Sequence, residues 1–524
     1  MNRRHLILML VVTASAALAA LTAIGWKQDN KNLPTEWTDA GRLPQIRPDY
    51  CDIVIPPNIA PLNFTVEEPG IEYQTRIHGT QGEEIFVASR NPGIVIPEQP
   101  WRELLQVNRG GKIGLDIYVK EQNGSWRRFA MIENAVAQEE IDSHLAYRLL
   151  GPVGVMYRKL GIYQRNLENY DESPIVNNDS TGGCFNCHTF RDNCPDEFSF
   201  HVRPGVQKEL VTLGMIVARD GKANRLETKS EAAPSAPGYH SWRRDGLAVA
   251  FSFSKTRQYF RNCGPDVRDV FDIASDLAIA DAKTGAASTS PDISTPDHLE
   301  TFPCWSADGK HLFYCSAQTP WSADEYPRAE SIQQVKFDLM RIPYDIESNT
   351  WGEPETMLAS AETGKTILEP RASPDGRHLL FCMSDYGGFP VHQPGCDLHM
   401  MNLESGEHWR LECNSDEADS WHCWSSNSRW IVFSSKRDNG FMARPYFSYI
   451  DADGRAHKPF VLPQKNPAFY DTWIKTYNVP ELITGPVTVP QEELLQAVLA
   501  GSATTGGAAR DNASWRATTN SPMQ

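Results

Sequence analysis

Apolar and polar residues alternate with period two over much of the chain. Ile71, Tyr73, Thr75 and Ile77 fill every second position, and so do Ile113, Leu115, Ile117 and Val119. Such alternation predicts strands with one face buried. Gly-containing breaks around Gly110 and Gly124 separate the runs. Residues 51–133 therefore read as a small β-sandwich-like domain, preceded by a linker over 27–50 that carries Pro34, Pro44 and Pro48. Over 134–170 the pattern changes. Ala135, Ile141, Leu145, Leu149, Met156, Leu160 and Ile162 fit helical spacing, and Gly151 with Pro152 divides two short helices. This predicts a helical segment over 134–197.

From about residue 198 the chain repeats itself. Trp242, Trp305, Ala372 and Trp424 each open a segment of the form Ser/Arg, any residue, Asp/Asn, Gly/Ser, followed by a strand such as Val249–Ser252 or Ile431–Ser434. A third strand follows, as in Ser275–Gly285 and Cys396–Gly406, and Phe337–Asp345 repeats its first half. Asp-Gly steps favour tight hairpins because Gly tolerates positive φ. The repeat starts are 63, 67 and 52 residues apart. A lone unit of this kind cannot bury both faces of its sheet, so the units must stack in a ring as propeller blades.

The Trp-Ser-x-Asp-Gly, Phe-Ser and Asp-Leu-x-x-x-Asp pattern resembles the TolB-type propeller repeat of exported bacterial proteins. The resemblance covers about residues 198–485 and implies a six-bladed ring: four clear blades, a degenerate one near 198–230 and one near 457–485. The fold class expected is all-β dominated, with a propeller over 198–490, a small sandwich and a short helical segment before it, and a disordered tail over 491–524 after a short helix.

The N-terminus adds a compartment. Arg3 and Arg4 precede Leu6–Ile24, a stretch of 19 residues with no charge. Residues 1–26 read as a cleaved signal peptide or an uncleaved membrane anchor. In both cases the body of the protein is exported, so a periplasmic location is expected, soluble or anchored to the inner membrane. Lys and Arg total 50 against 66 Asp and Glu, for a net charge of −16. That argues against a nucleic-acid partner.

The chemistry concentrates in Cys184-Phe185-Asn186-Cys187-His188, a C-x-x-C-H sequence. This is the c-type haem attachment motif. Two thiols add across the haem vinyl groups and the adjacent imidazole becomes the proximal iron ligand. Haem c is the cofactor expected, with Cys184, Cys187 and His188 holding it. Candidate sixth ligands are His201 first, then Met215, His144 and Met156. A zinc site that adds Cys194 and His201, or a redox or disulfide pair, are the other chemistries open to these cysteines. Cys304, Cys315, Cys382 and Cys423 fall at equivalent repeat positions and read as small buried strand residues.

Two functions follow. One is a haem-bearing propeller that relays electrons or senses a ligand, with the propeller face docking an envelope protein or redox partner. The other is a non-catalytic TolB-like interaction scaffold in which the cysteine pair is a disulfide or zinc staple. No catalytic residue is assigned, and an enzyme whose active site is the haem stays open. Too few residues per blade remain for an eight-bladed haem or quinone enzyme, and no G-x-S-x-G elbow occurs for a propeller peptidase.

Overall fold

The computed structural model describes residues 33–500, apart from 152–159, 180–183, 204–214, 232, 236, 261–267 and 323–326. Residues 1–32, where a signal peptide or anchor is expected, Met156 and the far tail lie outside the described residues. No helix among the described residues is long and apolar enough to cross a membrane.

Six blades form a ring. Blade 1 runs Cys184–Phe190, Phe198–Arg203, Met215–Arg219 and Lys222–Leu226 from the axis outward. Blades 4 and 5 repeat this order from Thr366–Ala372 and Asp419–Trp424. Blades 2 and 3 start from Pro237–Trp242 and His298–Trp305 and are joined through one parallel pairing of Ser275 with Leu299. Blade 6 is built from the two ends of the ring. Thr476–Ile483 is its innermost strand and pairs antiparallel with His144–Leu150, which leads to Gly161–Asn166 and Glu172–Asn177. Each innermost strand packs against the next, and the strand of blade 6 returns to that of blade 1.

The six-bladed ring agrees with the repeat, but two boundaries move. The predicted helical segment over 134–197 is four strands of blades and module: Ile132–Val136, His144–Leu150, Gly161–Asn166 and Glu172–Asn177, with the motif strand after them. The reason is arithmetic. Ile141, Leu145 and Leu149 are spaced by four, which satisfies a period of two as well as one of 3.6. Leu145, Ala146 and Tyr147 are all buried, because blade sheets are covered on both faces, so the alternation that marks a strand is lost. The first blade starts at Cys184 rather than 198, and residues 460–461 belong to the outer edge of blade 5.

The repeated Ser-x-Asp-Gly is explained by its turn. In blade 3 the Ser306 hydroxyl donates to Asp308 at 2.6 Å and accepts from the His311 N–H at 3.0 Å, while Asp308 accepts from the Lys310 N–H. Ser373 with Asp375 and Ser425 with Asn427 do the same. Gly246, Gly309 and Gly376 sit at φ of 72°, 68° and 74°, as a tight hairpin requires. The blade Trp ties neighbours together: Trp242 donates to Ser199 Oγ of blade 1 and Trp424 to the Arg371 carbonyl of blade 4.

Residues 38–136 form the expected sandwich-like module, with a helix added. Lys112–Lys120 is its central strand, flanked by Glu72–Gly79 and by Ile132–Val136. A second sheet of Ile46–Arg47, Phe64–Val66 and Gly93–Ile94 shares its core, as does helix Glu98–Val107 through Trp101, Leu104 and Leu105. The module docks on blade 5, where Asp142 accepts from the Ser426 N–H at 2.8 Å and Trp430 Nε1 donates to the Glu139 carbonyl. At the other end Gln491–Leu499 is the short helix expected after Pro490, and it packs through Leu494, Ala497 and Val498, so the start of the 491–524 span is ordered rather than tail.

Ring closure concentrates on Tyr477. It is fully buried, with its ring 4.9 Å from Tyr147 across the closing strand pair. Tyr477→Ala is expected to cost about 3–5 kcal/mol. Ile474→Ala, at a side chain 60% exposed, should stay within about 0.5 kcal/mol. Urea midpoints of the two variants check the contrast, and equal midpoints would mean the closing strand adds no stability.

Candidate functional site

The C-x-x-C-H sequence forms the innermost strand of blade 1, not a helix. Cys184 pairs with Arg203, Phe185 with Val202 and Asn186 with His201; pairing resumes at Thr189 with Ser199. Cys187 and His188 are therefore the extra residues of a β-bulge, and Cys187 has φ of 42°. The Cys187 side chain is half-buried, and His188 is only 2% exposed. The side chain of Cys184, and residues Thr181 to Gly183, lie outside the described set. The nine cysteines whose side chains are described form no disulfide with one another, as the repeat positions of Cys304, Cys315, Cys382 and Cys423 imply.

A bulge recurs in every blade, one residue earlier in blade 2 than in the others. Pairing shifts between Pro237 and His240, Thr301 and Cys304, Leu368 and Arg371, and Ser420 and Cys423, and blade 6 shifts opposite Ala146 and Arg148. Phe302, Glu369, Trp421 and Val479 share the positive φ of Cys187. The next residue is His188, Pro303, Pro370, His422 or Pro480, and His240 takes this place in blade 2. Each stands two positions before the blade Trp or its substitute. His188 is thus both the last letter of the haem motif and a repeat position. The signal was present in the sequence as His240-x-Trp242, Pro303-x-Trp305 and His422-x-Trp424, but it is visible only once the repeat is extended toward the axis.

These bulges gather ionisable groups that the sequence reading did not single out. Arg371 acts electrostatically on a residue of each blade: His188, His240, Cys304, Glu369, His422 and Glu481. It marks the axis. Burial lowers His188 to about 3, with the positive fields of His240, Arg148 and Arg371 adding to the effect and the Val479 carbonyl opposing it. The imidazole is neutral at any physiological pH, which is the form that binds a metal. Neither of its ring nitrogens makes a hydrogen bond of acceptable geometry. Burial likewise lowers His240 to about 4. Glu481, on the closing strand, reaches across to the motif strand and accepts from the Phe190 N–H at 2.9 Å. Burial raises its carboxyl to about 7, against the pull of Arg371.

Of the predicted sixth ligands, His201 lies across the strand from Asn186, directly before the bulge, and Met215 lies opposite His201 on the following strand. Both are buried, and Met215 belongs to the apolar layer between blades 1 and 2. His144 sits at the far end of its strand, paired with Asn166 and Ile483, with Nδ1 2.9 Å from Ser143 Oγ. Cys194 follows the motif strand in a turn, where the neighbouring Asn193 side chain donates to the carbonyls of Trp424 and Leu482.

No protein-family model matches the chain, and no curated protein is similar to it. Among solved structures, the Dos1 propeller aligns at 12% identity and a TM-score of 0.32, over 54% of this chain and 62% of that one. A chain of the nidogen/laminin complex aligns at 8% identity and a TM-score of 0.35, over 65% and 98%. Oligogalacturonate lyase from Vibrio parahaemolyticus aligns at 11% identity and a TM-score of 0.29, over 56% and 85%. The chain is a β-propeller protein. That statement rests on its own closed ring of blades.

Glu481 gives a pH signature. Its carboxyl is raised from 4.5 to about 7, so between these values the folded protein keeps a proton that the unfolded chain has released. Its contribution is full below pH 4.5 and is lost as pH rises toward 7. In Glu481→Gln that loss should disappear. The buried histidines contribute the opposite slope below pH 6.5 in both proteins, so the difference between two urea-midpoint profiles isolates Glu481. Parallel profiles would place its carboxyl near the ordinary value.

Proposed function

We propose that the chain is an exported, haem-bearing β-propeller that relays electrons or senses a ligand, and that its ring face docks a partner protein of the bacterial envelope. The observation that carries this reading is the pairing of a half-buried thiol, Cys187, with a buried, neutral imidazole, His188, whose ring nitrogens make no well-formed hydrogen bond among the described residues. A buried ring without well-formed hydrogen bonds is costly unless something binds it. The donor chemistry fits a c-type haem: Cys184 and Cys187 supply the thioether sulfurs and His188 the proximal nitrogen. Haem supplies a one-electron couple at its iron when bound. The residues of this chain hold His188 neutral, fix its position through the bulge, and set its surroundings through Arg371 and Glu481. His201 is the first candidate for the other axial place and Met215 the second. The TolB-type resemblance of the repeat and the apolar stretch over 6–24 support a periplasmic protein, soluble or held at the inner membrane.

A second reading has its own support. His240 and His422 occupy the position of His188 in other blades, so the repeat alone accounts for one histidine there. In that case the protein is an envelope interaction scaffold, and Cys184 with Cys187 is a disulfide or zinc staple.

A pyridine haemochrome spectrum of the full chain, made with a cytochrome c maturation system, separates the two. A covalent c-type signal is expected in the wild type and its loss in Cys184→Ala/Cys187→Ala. His188→Ala should keep the covalent signal and alter the reduced and CO-bound spectra. A wild type without haem, carrying a disulfide or zinc at the motif, would establish the scaffold reading.

A further inference from the structure

Away from the motif, three buried donors converge between blades 4 and 5. Glu369 occupies the bulge of the Thr366–Ala372 strand. Cys382 lies on the neighbouring strand, His378–Ser384, opposite Leu368. His422 lies in the bulge of blade 5, beside Trp421. One donor atom of each lies within 4.8 Å of the others, and all three residues are buried. Cys382 Sγ stands 3.6 Å from both Glu369 Oε2 and His422 Nδ1. A tetrahedral zinc ion with sulfur at about 2.3 Å and nitrogen or oxygen at about 2.0 Å has edges of ~3.5 Å between such atoms.

Two further features aim these groups at a common point. His422 Nε2 is 3.1 Å from the Leu380 carbonyl, which can only accept. Nε2 therefore carries the proton, and Nδ1 turns its lone pair toward Cys382. A ring whose other N–H is fixed by a backbone carbonyl is the usual arrangement of a ligating histidine. Glu369, 2% exposed, accepts the Trp421 N–H at 2.9 Å through Oε2, while its buried Oε1 has no hydrogen-bond partner among the described residues. A thiol–carboxyl hydrogen bond accounts for one contact and leaves that oxygen unsatisfied.

We propose that Glu369, Cys382 and His422 form a binding site for a divalent transition-metal ion, Zn²⁺ by its thiolate, imidazole and carboxylate donors. The charge balances. With the carboxyl and the thiol protonated and the imidazole in its neutral form, the metal-free cluster carries no charge. A dication displaces one proton from the carboxyl and one from the thiol, and the filled site is neutral as well. That matters where solvation cannot compensate a charge. The Cys396 thiol adjoins Cys382. The site shares no residue with the C-x-x-C-H motif and does not depend on the haem reading.

Titration of the chelator-stripped full chain with Co²⁺ tests the site. About one Co²⁺ per chain should bind, with thiolate charge-transfer absorption and the strong visible bands of a tetrahedral ion, and Zn²⁺ should displace it. Cys382→Ser should abolish the charge-transfer band. Glu369→Gln, which preserves shape, should weaken binding at least about tenfold while its far-UV circular dichroism and urea midpoint report an intact fold. In the Cys184→Ala/Cys187→Ala variant, which carries no covalent haem, the Co²⁺-induced difference bands should persist. The proposal is overturned if the wild type binds no Co²⁺, if Cys382→Ser keeps the bands, if a folded Glu369→Gln binds as tightly as the wild type, or if only the motif variant loses them.

Discussion

The structure depends on one pairing, that of Thr476–Ile483 with His144–Leu150. A ring of blades buries its sheet faces only when it is closed, because each blade covers its neighbours. Here closure joins strands more than three hundred residues apart in the chain, at a loop-closure cost that grows only slowly with length. Tyr477, Tyr147 and Leu482 pack in the joint. The closing strand also carries Glu481, which holds the motif strand through the Phe190 N–H. Closing the ring and positioning His188 are therefore parts of one interaction.

The second constraint is the repeated bulge. Every innermost strand breaks its pairing just before the blade Trp or its substitute, at the same position in five blades and one residue earlier in blade 2. Evolution of a repeat can fill such positions independently. Here they hold histidine or proline, then Thr189, Ser241, Cys304, Arg371, Cys423 or Glu481. Arg371 acts electrostatically on groups in all six blades and opposes protonation of His422 and, together with Arg148, of His188. The protein thus carries its ionisable chemistry inside, along the axis, while hairpins and charged turns face outward.

Much of this was legible in the sequence. Four copies of the Trp-Ser-x-Asp-Gly hairpin specify blades because the turn is made locally: a serine hydroxyl, an aspartate carboxylate and a glycine at positive φ need no distant partner. Four repeats were clear and two blades were inferred at the ends, and the ring does hold six, but the sixth is built from Thr476–Ile483 with residues 144–177 rather than from 457–485. The alternation over 71–77 and 113–119 marked strands correctly, and the added helix Glu98–Val107 went unseen because it lies between them without a strong cap. Over 134–170 the reading failed, since a spacing of four suits strand and helix alike and burial on both faces removes the alternation.

The sequence by itself determined the blade, the turn and the C-x-x-C-H motif, all of which are set by residues within a few positions of one another. Only the tertiary structure decided that residues 144–177 belong to the last blade, that the motif is a strand at the ring axis, and that Glu369, Cys382 and His422 meet. The reason is that these depend on register between strands and on ring closure. Each is a contact between segments far apart in the chain, and no local spacing encodes which strand a long loop will bring alongside another.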